Sequence, residues 1–123
     1  MALFFLFLSA CATHKKFPVS NTVPAADIAV TKKKDKNNNY VIEVTAKNLA
    51  DAKRLNPSKN NYSVWIVVEN GSTKNIGQLT NKNSKTSTLK TVTPFNVDEI
   101  FITAENQGDL NEPAGTEISR TSF

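Results

Sequence analysis

The sequence predicts an all-β fold, a small sandwich of about seven antiparallel strands with immunoglobulin-like architecture. Apolar and polar residues alternate with period two in several short runs. Asn, Gly and Pro residues separate those runs at the close spacing of all-β domains. No run sustains a helical period and no internal repeat occurs. The 123 residues, 39% of them apolar, fit one folded domain.

Taken in order, Asp27–Lys32 alternates Ile and Val with polar neighbours, as a half-buried strand does. The Asn-rich stretch 35–39 is a turn, and Tyr40–Ala46 returns as the partner strand of a hairpin. Residues 49–55 allow a single helical turn, which Asn56-Pro57-Ser58 would end. Tyr62–Glu69 is the strongest strand, apolar on both faces over Val64–Val68, which marks a central strand covered on both sides. Asn70-Gly71 is a residue pair favoured in type I′ hairpin turns. Thr73–Thr80 follows as one strand, with Gly77 marking a bulge or a close approach. Ser84–Val92 has the polar composition and lysines of an exposed edge strand. Pro94–Asn96 is a turn, Glu99–Glu105 a buried strand, Asn106–Gly115 a loop and Thr116–Arg120 a short last strand. The expected core is Ile28, Val30, Ile42, Val44, Val64, Trp65, Ile66, Ile76, Leu79, Leu89, Ile100 and Ile102.

Ahead of the strands the chain is organised differently. Ala2–Leu8 is an apolar run too short to span a bilayer, which takes about 20 helical residues, but of the length of a signal-peptide core. Leu8-Ser9-Ala10-Cys11 resembles the lipobox of bacterial lipoproteins. The resemblance implies cleavage before Cys11 and acylation of its sulfur, a stable anchor when several chains are attached. The leader departs from the pattern in having no Lys or Arg. Cys11 is the only cysteine, so no disulfide within the chain can use it. The resulting division is a signal peptide at 1–10, a lipidated tether at 11–25 and the sandwich at 26–123. Ala12, rather than Asp, follows the cysteine; by the sorting pattern of enteric bacteria this favours the outer membrane, on the extracytoplasmic side.

The net charge of +4 is modest. Its one dense run, Lys32-Lys33-Lys34-Asp35-Lys36, falls at the hairpin turn. A nucleic-acid binder would spread basic and aromatic residues along one face, so no nucleic-acid partner is expected. The run reads as a solvated turn, with weak attraction to anionic headgroups or envelope polymers as the alternative.

Four short motifs follow one another in order: Tyr62-Ser63-Val64-Trp65, Ile76-Gly77-Gln78-Leu79, Phe101-Ile102-Thr103-Ala104-Glu105 and Glu112-Pro113-Ala114-Gly115. Together they resemble the extracytoplasmic domain of RskA-type anti-sigma-K factors, which has a Tyr-x-x-Trp strand, a Thr-x-Glu strand and a Pro-x-Gly loop. The resemblance implies a β-sandwich. It does not imply sigma-factor binding, because the residues before Ala26 read as leader and tether.

Chemistry-bearing residues are sparse. His14 is the only histidine and falls on the expected tether, so neither a Ser/His/Asp triad nor a usual zinc site is expected. Asp35-Lys36-Asn37-Asn38-Asn39-Tyr40 spaces its oxygen-bearing residues like a calcium loop, but has Tyr40 and Ala46 where such a loop needs Gly and a bidentate Glu. Glu105 with Asp109 or Glu112 is the kind of carboxylate pair that nearly any chain offers. No cofactor and no catalysis are expected.

The functional expectation is a non-catalytic, membrane-anchored envelope lipoprotein that binds another protein or senses the envelope. Its binding surface would be the 106–115 loop joined by Pro94–Asn96, with Pro94, Phe95, Asp109, Pro113 and Gly115 as candidate residues. The alternatives are a carbohydrate-binding module exposing Tyr62 or Trp65, and a structural spacer. Tyr62 and Trp65, three residues apart on one strand, point to opposite faces.

Overall fold

A computed structural model describes residues 12–123. The strands are β1 (Ala12–Lys16), β2 (Asp27–Lys34), β3 (Tyr40–Lys47), β4 (Asn61–Val68), β5 (Thr73–Gln78), β6 (Thr80–Asn83), β7 (Thr86–Thr93), β8 (Val97–Glu105) and β9 (Thr116–Ser122). A single 3-10 turn, Ala52–Arg54, lies between β3 and β4, capped by the Asp51 carboxylate on the Lys53 N–H. One sheet has the order β1-β2-β3-β7-β6 and the other β5-β4-β8-β9, and every pairing is antiparallel. The expected two-sheet, all-β fold is the observed one.

Period-two alternation sets the core. Ile28 and Val30 of β2 and Ile42, Val44 and Ala46 of β3 form the inner face of one sheet. Tyr62, Val64, Ile66 and Val68 of β4, with Ile100, Ile102 and Ala104 of β8, face them from the other. Each such Val or Ile side chain contributes about 1.5–3 kcal/mol on burial. Ile76, Leu79 and Leu89 lie at the margin, half-buried against the same cluster. Trp65 is fully buried, but outside this cluster: it stands on the outer face of its sheet, opposite Phe101 in register, with ring centroids 6.3 Å apart.

The segment read as a tether is part of the domain. Residues 12–16 form β1, which pairs with β2 from Ala12↔Lys33 to Lys16↔Ala29. Beyond it Phe17 and Val23 are buried, Ser20 Oγ accepts the N–H groups of Thr22 and Val23, and Ser119 Oγ donates to the Pro18 carbonyl. Thr13–Lys16 has no apolar alternation of its own, so its strand conformation comes from the β2 edge it completes. The signal-peptide expectation for 1–10 and the anchor at Cys11 lie outside the described residues.

The run Thr73–Thr80 also differs: it is split between the sheets. Val64 pairs with Gly77 and Trp65 with Asn75, a bulge at which Gly77 takes a φ of 135°. The chain then leaves β4 at Leu79, whose N–H donates to the Tyr62 carbonyl, and joins the other sheet as β6. In consequence β7 is an interior strand between β3 and β6 rather than an edge. Ile76 and Leu79, both packed against the core, are three residues apart, so period two breaks across the switch between sheets.

Candidate functional site

The expected binding surface does not form as one patch. Pro94 and Phe95 precede β8, while Asp109, Pro113 and Gly115 follow it. The nine residues of β8 separate them, about 3.3 Å each along a strand, so the groups lie at opposite ends of the sandwich.

The 106–115 loop is a strap. It leaves β8 and bonds to β5, where Asn75 Nδ2 donates to the carbonyls of Gly108 and Leu110 and Gln78 Nε2 donates to Gly108. It then returns to β9. Because β4 lies between β5 and β8, the strap crosses the outer face of β4 and closes over Trp65. Beneath it runs a buried chain of hydrogen bonds: Trp65 Nε1 donates to Thr103 Oγ1 at 2.8 Å, Thr103 Oγ1 donates to Glu105 Oε2 at 2.6 Å, and the Ala114 N–H donates to the same carboxylate at 3.1 Å. Gly115 is required by close approach, since a Cβ there would collide with the Ala104 carbonyl oxygen. Asp109 and Pro113 are exposed on the strap, and Gly115 is half-buried.

Neither ring considered for a sugar platform presents a face. Trp65 is fully buried, and Tyr62 is 6% exposed with its hydroxyl donating to the Ala50 carbonyl at 2.6 Å. Burial, with the nearby Asp51 carboxylate, pushes the Tyr62 phenol up to about 12. His14 lies on β1 beside Thr31 Oγ1. Among the described residues no group of His, Cys, Asp and Glu is placed to hold a metal ion.

At the other end, the β2–β3, β4–β5 and β7–β8 turns border a groove of about 730 Å³. Each turn is fixed by a side chain of its own. Asp35 Oδ1 accepts the N–H groups of Asn37 and Asn39, and Asn38 takes a left-handed φ of 65°. The Asp35 carboxylate thus works as a turn former within the run that resembled a calcium loop. Asn70 Oδ1 accepts the Ser72 N–H, with Gly71 at φ 88°. Thr93 Oγ1 accepts the Phe95 N–H.

The groove is walled by Tyr40 and Phe95, flanked by Lys34 and Lys74, and fringed by Asn38, Asn70 and Asn96, with Glu69 as its carboxylate. Lys74 Nζ sits 4.7 Å from the Phe95 ring centre and Lys34 Nζ 5.9 Å from that of Tyr40. Phe95 is 42% exposed. Behind the groove Lys32 is fixed by the Val97 carbonyl at 2.9 Å and Asn96 Oδ1 at 3.2 Å, with the Phe123 ring 4.5 Å from its Nζ. Burial moves the Lys32 ammonium pKa down, and Asp98 opposes this. Cations beside aromatic faces and amides suit an oxygen-rich anionic group. Sequence reasoning reached Pro94 and Phe95 but missed Tyr40, Asn70 and Lys74. The signal was the hairpin register, which places these turns at one end.

No family model, curated relative or solved structure matches the chain.

Proposed function

We propose that the chain is a non-catalytic lipoprotein of the bacterial envelope, cleaved before Cys11 and held by acyl chains on that residue on the extracytoplasmic side of the outer membrane. Its sandwich is a binding module, and the end groove is its recognition surface. The observation that carries the binding reading is the groove itself, in which aromatic walls, lysines and turn amides converge on one concave surface. The address rests on the order of apolar run, small residues and cysteine in Leu8-Ser9-Ala10-Cys11.

The address is tested by labelling growing cells with palmitate. The chain takes up label and Cys11→Ala does not; an unlabelled chain would end the anchor reading. The recognition surface is tested with a photo-crosslinking residue in place of Phe95 or of Gln107. A defined adduct from position 95, lost on Lys74→Glu and absent from position 107, is expected. Adducts from position 107 alone would move the binding surface to the strap.

A further inference from the structure

The groove and the point where the anchor joins the domain lie at the same end of the sandwich. Ala12 pairs with Lys33, Lys33 with Val41, and Val41 with Val92, one continuous row across the sheet. The next row, Lys34–Tyr40–Thr93, is the lip of the groove. Cys11 is one peptide unit from Ala12, about 3.8 Å between Cα atoms. Since 12–16 is strand rather than tether, no slack chain separates the cysteine from the folded sheet. An acyl group on Cys11 therefore holds this end, and not the strap end, within about a Debye length of the headgroups.

The chemistry of this end matches such a surface. Lys33, Lys34 and Lys36 are exposed here and Lys74 is half-buried over Phe95. The acids at this end are Asp35, Glu69, Asp98 and Glu99; Asp35 is engaged with backbone N–H groups of its own turn and Glu99 with Arg120. The described chain has Val19, Val92 and Phe95 as its exposed large apolar side chains. Val92 lies on the row that begins at Ala12, and Phe95 on the rim of the groove. Lysines around protruding apolar groups are the composition of an interfacial contact with anionic lipid.

We propose that this end docks on the membrane that carries the anchor, with the phosphate of an anionic phospholipid headgroup seated between Lys34 and Lys74 and with Phe95 and Val92 entering the interface. The inference rests on the reading of Cys11 as the anchor and names the occupant of the groove. The domain then stands in one orientation, its strap turned away from the membrane.

The test uses the full acylated chain on vesicles of phosphatidylcholine, with or without phosphatidylglycerol. With the Cys11 sulfur acylated, an introduced cysteine is the only free thiol. Asn37→Cys reports the groove end and Gln107→Cys the strap end; both positions are exposed. Labelling of Asn37→Cys by a bulky, membrane-impermeant maleimide slows at least fivefold on phosphatidylglycerol vesicles, and Lys34→Glu with Lys74→Glu restores the rate. Gln107→Cys labels at one rate throughout, and unshifted emission of the buried Trp65 shows that the charge variants remain folded. Equal rates for Asn37→Cys on both compositions overturn the docking, as does slowing at Gln107→Cys. Shielding of Asn37→Cys in cells but not on vesicles overturns it in favour of a protein ligand. Intact mass separates the two readings: no acyl group on the chain removes the anchor and the docking together, whereas an acylated chain without shielding removes the docking alone.

Discussion

Replacing Thr103 with valine keeps the shape of a buried side chain and deletes one oxygen. That oxygen accepts from Trp65 Nε1 at 2.8 Å and donates to Glu105 Oε2 at 2.6 Å, and Trp65, Thr103 and Glu105 are at most 2% exposed. Thr103→Val leaves the indole N–H without its partner, which costs about 1–3 kcal/mol for a buried group. It also takes the shortest donor from a buried carboxylate, and a hydrogen bond to a charged group is worth about 1.5–3 kcal/mol. The Ala114 N–H remains on the carboxylate, and coupled losses do not add fully, so a total of about 3 kcal/mol is expected. Urea unfolding followed by the emission of Trp65, the single tryptophan, measures it. With a slope of about 1.5 kcal/mol per molar, the midpoint falls by about 2 M. Thr103→Ser keeps the hydroxyl and loses about 1 kcal/mol or less with its methyl group. A fall below about 0.3 M for Thr103→Val, or equal falls for both variants, would refute the hydrogen-bonded chain beneath the strap.

The strap makes a second prediction: Gly115→Ala forces the backbone away from the Ala104 carbonyl and lowers stability by about 2 kcal/mol, read as a drop in melting temperature. Ser63 Oγ is buried beside this region without a hydrogen-bond partner among the described residues, so Ser63→Ala raises the urea midpoint, by about 1 kcal/mol of stability. Tyr62 gives a pH dependence. Its folded pKa, about 12, lies above the ordinary 10.0, so the stabilisation is complete below pH 10 and is lost as pH rises through about 12. Ultraviolet titration of phenolate shows a component near pH 12 that Tyr62→Phe removes.

The strand pattern of 26–123 was legible because it depends on nearest neighbours: Ile42, Val44, Ile100 and Ile102 alternate, and Asn70-Gly71 and the Asn-rich turn close hairpins. What was illegible depends on partners distant in sequence. Thr13–Lys16 is a strand only because the edge of β2 is there to pair with it. Leu79 crosses between sheets because Tyr62 and Thr88 lie on either side of the crossing. Trp65 was read correctly as buried, but its cover is the strap rather than the opposite sheet. The residues on which the family resemblance rested serve packing in this chain: Tyr62 and Trp65 are buried, Gly77 sits at the bulge, Thr103 and Glu105 hold the strap, and Gly115 lies against backbone.

Of the candidate binding residues, Pro94 and Phe95 border the groove, and Asp109, Pro113 and Gly115 belong to the strap at the far end. Loop composition identifies turns but not which turns share an end. Strand register does that, and it brings Lys34, Tyr40 and Asn70 to Phe95.

Hydrogen–deuterium exchange of the acylated chain on vesicles tests the central claim most directly, that one end of the sandwich is the recognition surface and faces the membrane. On phosphatidylglycerol-containing vesicles, compared with phosphatidylcholine alone, the account predicts slower exchange at 35–39, 69–72 and 94–96 and no change at 106–115. Unchanged exchange at those turns, or protection confined to the strap, would contradict it.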